Sequence, residues 1–443
     1  MNNIHGGRLR RQHFIRPLAL GLAAVLGLAA CGTSNGPTDS SGEATEFSVL
    51  SVLESPFIQN ELTMMSTAQC AAENEALPLV VSTVPTNDVT TRAQLLASQN
   101  ALPVIFPASS QSVRPTGDLV TSGMVVDYEQ VFTELGIIDN VLPAARDAIA
   151  QAYDGRLATL PFQFNIEGIF YNKQIFREQG IEVPTTFAAL KAAAQKLLDA
   201  GIQPFSVAGA TGWPATRWIS TYLLRDLGSD ALAKVRDGEA KLTDPGYVRA
   251  AQALQDLGVA GYFGRGVGSI DYDMANNEFA TGKVAMMYGL TSLLAVFSDP
   301  AQTPIGADQV GLMSFPAVEG GRGSITEFPA NAGTPVAMSS KLYGPKVGDW
   351  LKCISENYAS ALLKDQGAIS GFVVKQPVSG VAPLTQDVLD LMASSTGGLL
   401  WFESLMDEKS RDVAKFAVAQ LITGEMSAED YMAAVQQSLD DFQ

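Results

Sequence analysis

The sequence predicts an α/β fold built on parallel strands, with more than one domain. Its 443 residues exceed the roughly 100 to 200 that form one typical domain. Hydrophobic residues make up 47% of the chain and charged residues 17%, which is the balance of a globular protein with a large core. Short apolar runs alternate with helix-forming segments near the start, as in a parallel sheet whose strands are joined by helices.

Three apolar runs in the first quarter of the chain predict buried strands, and the segments between them predict helices. The strands are expected at 47–53, 79–84 and 103–106, and the helices at 61–76 and 91–99. The first domain therefore begins near residue 47.

A second set of elements begins with a strand at 168–171 and continues with a well-marked helix at 186–200. Thr185 or Thr186 can cap that helix, and Gly201 ends its apolar periodicity. Further strands are predicted at 284–288, 310–315 and 334–338. Helices are predicted at 349–363, 385–392, 408–422 and 428–439.

Charge and histidine content exclude several functions. With 29 Lys and Arg against 46 Asp and Glu, the net charge is -17, so we expect no nucleic-acid partner. The two histidines, His5 and His13, lie in the N-terminal segment, which excludes a histidine-dependent nucleophile or a His-ligated zinc site in the body of the protein. A carboxylate pair is the main enzymatic option left, and we expect no metal and no cofactor.

The N-terminus has the features of a secretory signal peptide over residues 1–30, with a basic start and an apolar run at 17–30. The run ends in Leu28-Ala29-Ala30-Cys31-Gly32, which resembles the bacterial lipobox. We therefore expect lipidation of Cys31, followed by a flexible tether over 31–45. The alternative is ordinary cleavage, which leaves Cys31 as a spare thiol.

Two segments carry a family resemblance. Residues 160–190 read LPFQFNIEGIFYNKQIFREQGIEVPTTFAAL, and residues 279–289 read FATGKVAMMYG. Together they resemble the carbohydrate-specific solute-binding proteins of bacterial ABC importers, extracellular solute-binding protein family 1. The resemblance extends from about residue 47 to the end and is weak before Leu160. One departure is the segment SQNALP at 98–103, where many members have a small-Gly-Asp-x-Pro-Asp segment.

The resemblance implies a two-lobe periplasmic-binding-protein-like fold with a hinge and an interlobe ligand cleft. Lobe one would comprise 46–118 and 265–335, and lobe two 119–264 and 336–443. Cys70 and Cys353 would then lie in different lobes, where a disulfide would hinder opening, so we predict that they are not paired, although an extracellular pair is the alternative.

Candidate ligand contacts follow the predicted strands, because ligands of α/β sheets gather beyond the carboxyl ends of strands. Each could instead be a turn or cap residue. The candidates are Glu54, Ser55, Ser109, Ser110, Gly289 and Thr291.

Three polar candidates come from other segments. Asn165 precedes Tyr171 by six residues, where relatives carry a polar residue facing the sugar, and an Asx-turn is its alternative. Glu167 is a weaker candidate, since strand alternation could direct it to solvent. Asp271 could reach over the cleft, although a solvated helix start is favoured for it.

Aromatic candidates complete the predicted site, because a flat ring suits the C–H face of a sugar. Trp213 and Trp401 are favoured as ligand contacts. Trp218 lies in the same segment as Trp213, but it precedes an apolar helical run, so a core position is a serious alternative for it.

The family resemblance and the lipobox together imply an extracytoplasmic, lipid-anchored receptor that is not an enzyme. It would act as a monomer, bind a carbohydrate and deliver it to ABC transporter permease subunits. The alternative is a secreted glycoside hydrolase that uses a carboxylate pair. A third hypothesis is a surface adhesin.

Overall fold

The computed structural model describes residues 43–53, 57–85, 88–395 and 397–441. Cys31, Glu54 and Ser55 lie outside the described residues, as do the predicted signal peptide and most of the predicted tether. Within the described part of the chain, every helix is too short or too polar to cross a membrane.

The strands are short and form two sheets. In chain order they are β1 (Phe47–Val52), β2 (Leu79–Val84), β3 (Ile105–Pro107), β4 (Asn165–Asn172), β5 (Gln203–Ser206), β6 (Val284–Leu290), β7 (Val310–Met313), β8 (Glu327–Asn331), β9 (Val336–Met338) and β10 (Gly397–Leu399).

Helices connect and cover these strands, and they dominate the C-terminal third as predicted. In chain order they are α1 (Phe57–Ser66), α2 (Ala71–Ala76), α3 (Val89–Ser98), α4 (Asp118–Thr121), α5 (Tyr128–Glu134), α6 (Pro143–Ala152), α7 (Lys173–Glu178), α8 (Phe187–Asp199), α9 (Trp213–Leu227), α10 (Ala231–Arg236), α11 (Pro245–Val259), α12 (Tyr272–Ala280), α13 (Leu294–Ser298), α14 (Pro345–Gln366), α15 (Pro383–Ala393), α16 (Glu408–Thr423) and α17 (Ala428–Asp440).

The first sheet has the strand order β2-β1-β3-β9. β1 is parallel to both β2 and β3, as the alternation of strands and helices predicts. β9 pairs antiparallel with β3, with Met338 opposite Ile105, so the parallel pairing predicted for the strands near the start of the chain does not extend to this edge. The reason is that β9 reaches the sheet from a distant part of the chain and not through a β-α-β crossover.

The second sheet has the order β10-β8-β4-β6-β5, and β7 also pairs with β4. β4 is antiparallel to β6, β7 and β8, whereas β5 and β6 are parallel. This sheet is therefore mixed. β4 lies at its centre and carries the motif NIEGIFYN.

Local sequence accounts for α8, which matches its predicted range to within one residue at each end. The side chain of Thr186 accepts a hydrogen bond from the backbone N–H of Ala189, so Thr186 is the cap. Leu190, Ala194 and Leu197 are buried on one face. The predicted helix over 61–76 is instead two helices, α1 and α2, with a turn at 67–70 between them.

The buried apolar side chains form two large cores. Core one contains Phe47, Phe106, Met338 and Trp350, together with many other residues of β1, β3, β9 and α14. Core two contains Leu190, Trp218 and Leu254, from α8, α9 and α11. β4 contributes to both, because neighbouring side chains of a strand point to opposite faces: Phe170 packs in core one and Ile169 in core two.

The lobe boundaries implied by the resemblance stay a prediction. Two strand pairings favour different boundaries. β6 lies in the second sheet between β4 and β5, whereas β9 lies in the first sheet beside β3. The predicted lobes grouped β6 with β1, and β9 with β4.

Cys70 and Cys353 form a disulfide, with their Cα atoms 5.8 Å apart, so the prediction that they are unpaired is wrong. That prediction assumed that the two cysteines lie in different lobes. Both belong to core one instead, because α14 carries Cys353 and packs against α1 and α2, on either side of Cys70.

Candidate functional site

An arginine and two glutamates form a buried ion-pair cluster where β4, α9 and the 3₁₀ turn Phe402–Leu405 meet. Nε of Arg217 lies 3.2 Å from Oε2 of Glu167, and Nη1 of Arg217 donates a hydrogen bond to Oε2 of Glu403. Glu167 is fully buried, and Arg217 and Glu403 are 7% and 4% exposed. Acidic and basic side chains are rarely buried so completely unless they are paired. We call Glu167, Arg217 and Glu403 the charged cluster.

Two indole rings cover the guanidinium group of the charged cluster. The Cζ atom of Arg217 lies 5.3 Å from the ring centroid of Trp213 and 4.9 Å from that of Trp401, within the range of cation–π attraction. Both tryptophans are half-buried. The ring of Tyr272 lies 5.1 Å from Trp213 and extends the aromatic surface toward α12.

The start of α9 positions Trp213 and Arg217 on this site. Gly212 precedes the helix with a φ of +81°, and a Cβ atom there would lie 2.3 Å from the carbonyl oxygen of Lys415. Only glycine fits both the backbone conformation and the contact with α16. Because Trp213 and Arg217 are four residues apart, they lie on the same face of α9.

Neutral hydroxyl groups donate further hydrogen bonds to the two carboxylates. Tyr288 donates to Oε2 of Glu167 at 3.1 Å, and its hydroxyl also lies 2.8 Å from that of Thr221. The hydroxyl of Thr216 donates to Oε1 of Glu403. Each carboxylate therefore accepts a hydrogen bond from a hydroxyl group in addition to its ion pair with Arg217.

Burial decides the protonation behaviour of this site. Desolvation raises the pKa of Glu167, while the positive charge of Arg217 and the hydrogen bond from Tyr288 act in the opposite direction. Burial also raises the pKa of Tyr288 and of Tyr272. Both phenols are therefore neutral at physiological pH and can donate hydrogen bonds.

Two buried acceptor atoms near the charged cluster lack a hydrogen-bond partner among the described residues. They are Oε1 of Glu167 and Oδ1 of Asn276. Asn276 interacts with the hydroxyl of Tyr272, and the charge of Glu167 in turn acts on Tyr272.

Three predicted site residues hold or pack against the strands around the start of β4. Nδ2 of Asn165 donates to Oδ1 of Asn331 at 3.3 Å, across the pairing of β4 with β8. The hydroxyl of Thr291 accepts from the backbone N–H of Ile166 at 3.1 Å, which fixes β4 next to Glu167. A Cβ atom on Gly289 would lie 3.2 to 3.3 Å from three buried side chains, so this position requires a small residue.

The loop after β3 contains Ser109 and Ser110. The Ser109 hydroxyl bonds to the Ser112 hydroxyl at 2.8 Å and accepts from the Ser112 N–H, which forms a local turn, and Ser110 interacts with Tyr153. The same loop reaches the turn that carries Glu403, because Arg114 donates to the carbonyl oxygen of Ser404 at 3.3 Å. A cavity of about 220 Å³ lies beside this contact.

Asp271 and Trp218 have contacts typical of structural residues. Asp271 is exposed, and its side chain accepts from the N–H of Met274 as the cap of α12. Trp218 is 2% exposed and packs edge-on against Phe205, so of its two alternatives the structure shows the core position.

Reasoning from sequence does not select Arg217 or Glu403, and it ranks Glu167 low because one face of a strand is expected to meet solvent. β4 is buried on both faces, which is why Glu167 is not exposed. The only local indication that Arg217 belongs to the site is its spacing of four residues from Trp213, which places both side chains on one face of a helix. Nothing local to Glu403 distinguishes it from the other acidic residues of an acidic chain.

Sequence comparison gives relatives of one kind. Residues 71–344 match the family described as bacterial extracellular solute-binding protein. The chain is 27% identical over 151 residues to the alpha-glucosides-binding periplasmic protein of Rhizobium meliloti, which covers 32% of each chain. It is 26% identical over 216 residues to the sn-glycerol-3-phosphate-binding periplasmic protein of Pectobacterium atrosepticum, which covers 46% of each. The matched parts thus span a third to a half of these curated relatives.

Solved structures share the fold over nearly the whole described chain. A protein structure from work on xylan utilization by the bacterium Caldanaerobius polysaccharolyticus has a TM-score of 0.74 at 22% identity, covering 89% of this chain and 100% of that one. A chitin oligosaccharide binding protein has a TM-score of 0.73 at 24% identity, covering 89% and 98%. The predicted two-lobe α/β fold class is confirmed by these neighbours. Since the family match also extends over more than half of the sequence, the chain belongs to the bacterial extracellular solute-binding protein family.

Proposed function

We propose that this protein is the sugar receptor of an ABC importer, anchored by lipid to the outer face of the cytoplasmic membrane. It would capture a sugar, most simply an oligosaccharide, between its lobes and deliver it to the permease. The observation that carries the proposal is the pair of half-buried indoles, Trp213 and Trp401, beside buried polar groups. Ligand sites combine apolar or aromatic walls with a few fixed polar groups, and a sugar offers a C–H face and a hydroxyl rim to such a surface.

Two of the similar proteins are named for sugars, and this supports a sugar as the ligand of this chain. One relative is named for alpha-glucosides and a structural neighbour for chitin oligosaccharides, whereas another relative is named for sn-glycerol 3-phosphate. We retain Trp213, Trp401 and Asn165 as proposed contacts and add Glu167, Arg217 and Tyr272. The other predicted contacts stay predictions.

We also propose new lobe boundaries that follow the strand pairings. Lobe one would contain about 43–160 and 335–395, since β9 pairs with β3 and the hydroxyl of Tyr128 donates to the carbonyl of Val336. Lobe two would contain about 165–325 and 400–441. β4 and β8 would cross between them, and the contact of Arg114 with Ser404 would bridge the cleft.

A panel of purified oligosaccharides tests the proposed receptor against the hydrolase alternative. Each sugar is added to the protein, and both the melting temperature and the release of shorter sugars are measured. A receptor is stabilised by one class of sugar and releases nothing. Sugar release at a rate that scales with protein concentration would favour the hydrolase, and neither effect with any sugar would contradict both.

Trp213→Ala is expected to weaken binding of the stabilising sugar roughly thirtyfold or more. Removing an aromatic residue at the centre of an interface typically costs about 2 kcal/mol or more, and about 1.4 kcal/mol is tenfold. Because Trp213 is half-buried, the ligand-free melting temperature should change by only a few degrees. Isothermal titration calorimetry and thermal melting measure the two effects.

Trp218→Ala is the matched control, because Trp218 lies one turn further along α9 and is buried in core two. It should destabilise the fold by about 3 to 5 kcal/mol. If Trp213→Ala shows the large loss of stability and normal affinity, Trp213 is a core residue and leaves the proposed site.

Cys31→Ser is expected to release the protein from membranes when it is expressed in its native host. The thiol is the acylation site of the lipobox, and serine there cannot form the thioether. Fractionation at high salt followed by immunoblotting measures the effect, with Thr33→Ser as a control that keeps the thiol. Retention of the Cys31→Ser protein in the membrane fraction would contradict the lipid anchor.

A further inference from the structure

We propose that the protein has a second ligand site, a cavity that takes a small uncharged molecule with an aliphatic body, such as a medium-chain alcohol. The cavity has a volume of about 370 Å³ and lies where β4, β8, α6, α14 and α15 meet. We call it the apolar cavity, and its lining includes Leu142, Phe164, Ile166, Leu363, Phe372 and Met392. The proposal does not depend on the proposed function, because it concerns neither the charged cluster nor the two indoles.

β4 separates the apolar cavity from the charged cluster. Ile166 and Glu167 are neighbours on this strand, and neighbouring side chains of a strand point to opposite faces. Ile166 lies in core one and lines the cavity, whereas Glu167 lies on the other face and forms its ion pair with Arg217. A molecule in the apolar cavity therefore does not occupy the site that we propose for the sugar.

Backbone hydrogen bonds hold the wall of the apolar cavity that follows α14. The N–H of Phe164 donates to the carbonyl oxygen of Ile369 at 3.2 Å, and the N–H of Gly371 donates to that of Pro161 at 2.8 Å. The carbonyl oxygen of Gly371 in turn accepts from the N–H of Leu142 at 2.8 Å. These bonds join three separate segments of the chain, so the wall would have to break them in order to collapse into the cavity.

The size of the apolar cavity suits a small organic molecule. An unfilled apolar cavity lowers stability in proportion to its volume, so filling it with apolar groups is favourable. In another protein, a cavity of about 150 Å³ lined by leucine, isoleucine and phenylalanine stays dry and binds benzene. The apolar cavity here is more than twice as large and lies within the range of ligand pockets, which begins at about 300 Å³. Val374 and Ala393 line it and are exposed, so a ligand can enter at that end.

The lining determines the polarity of the ligand. Among the described residues that line the apolar cavity, none is charged, and the polar side chains are those of Ser370 and Ser395. The hydroxyl oxygen of Ser370 accepts from the N–H of Phe372 at 3.2 Å, and its proton can donate to a hydroxyl oxygen of the ligand. A charged group would lose its water without gaining an ionic partner, which is costly. The cavity therefore matches an apolar body with one uncharged polar group.

Three molecules with the same alkyl chain length test the chemistry of the apolar cavity by calorimetry at pH 7.5: 1-octanol, octanoate and octylammonium. We expect 1-octanol to bind at least about tenfold more tightly than either ion, because only the ions bring a charge to the cavity. Equal or tighter binding of octanoate or octylammonium would overturn the assignment of an uncharged ligand. If 1-octanol does not bind at any concentration up to its solubility limit, the second site itself is wrong.

Filling the apolar cavity tests where 1-octanol binds. Ala359→Leu should weaken its binding at least about tenfold, because Ala359 lines the cavity and a larger side chain there takes up the space of the ligand. Ala192→Leu, the same change at an exposed position of α8, is the control and should leave the affinity unchanged. Ala368→Leu, at a half-buried lining position, provides a second variant if Ala359→Leu does not fold. Unchanged affinity in whichever filling variant folds, or a loss of affinity in Trp213→Ala, would show that 1-octanol binds elsewhere and would overturn the proposal.

Discussion

Arg217→Ala should lower the free energy of unfolding by about 3 to 5 kcal/mol, because it leaves the carboxylates of Glu167 and Glu403 buried without their positive partner. Urea denaturation followed by circular dichroism measures the loss. Arg249→Ala is the matched control. Arg249 forms an exposed ion pair with Asp226 at 2.8 Å, which is worth about 1 kcal/mol or less.

The loss should depend on pH in a defined direction. Burial raises the pKa of Glu167 in the folded state, and removing Arg217 raises it further, since Arg217 acts to lower it. A carboxyl with a raised folded pKa makes the protein less stable as pH rises above the unfolded value of about 4.3. The destabilisation by Arg217→Ala should therefore be smaller at pH 5 than at pH 7.5, and Glu167→Gln should restore part of the stability. A loss below about 1 kcal/mol at both pH values would show that the carboxylates do not need Arg217 for stability.

The second large effect is expected from the disulfide. Replacing both Cys70 and Cys353 by alanine should lower the free energy of unfolding by about 2 to 5 kcal/mol, because the bridge restricts an unfolded loop that spans 283 positions. Chemical denaturation without reductant measures the effect.

Reductant provides the control for this prediction. Dithiothreitol should bring the unfolding midpoint of the natural protein down to that of the double variant and leave the variant itself unchanged. An equal response of both proteins to dithiothreitol would contradict a stabilising bridge.

Local patterns predict the elements of this fold well. The apolar runs of β1 and β2 and the capped, periodic sequence of α8 lie where the sequence places them, because each depends on neighbours along the chain. The antiparallel edge strand β9 depends on a partner more than 200 positions away, opposite Ile105, and no local pattern encodes that pairing. The same is true of the disulfide, because Cys70 and Cys353 are 283 positions apart and meet only through the packing of α14 on α1 and α2.

Some residues of the candidate site can likewise be selected from the sequence, and others only from the fold. Trp213 and Trp401 can be selected from sequence because tryptophan is rare and suited to sugars. Glu167 cannot, because alternation along a strand predicts one solvent-facing side, whereas β4 has core on both sides. Arg217 is a charge within a helix whose middle is buried all round, and only the fold reveals the carboxylates that it pairs with.

The closing of the first sheet by β9 has a consequence for how the protein is made. During synthesis, β1, β2 and β3 are complete by residue 107, but their partner strand and α14 follow only after residue 335. Until then β3 has an open edge and Cys70 has no partner. The side chains of core one that pack against Trp350 are also still exposed. Contacts between such distant segments form slowly, and open strand edges invite pairing with other chains. The edge of the first sheet at β3 therefore stays open to pairing with other chains until β9 has been synthesised.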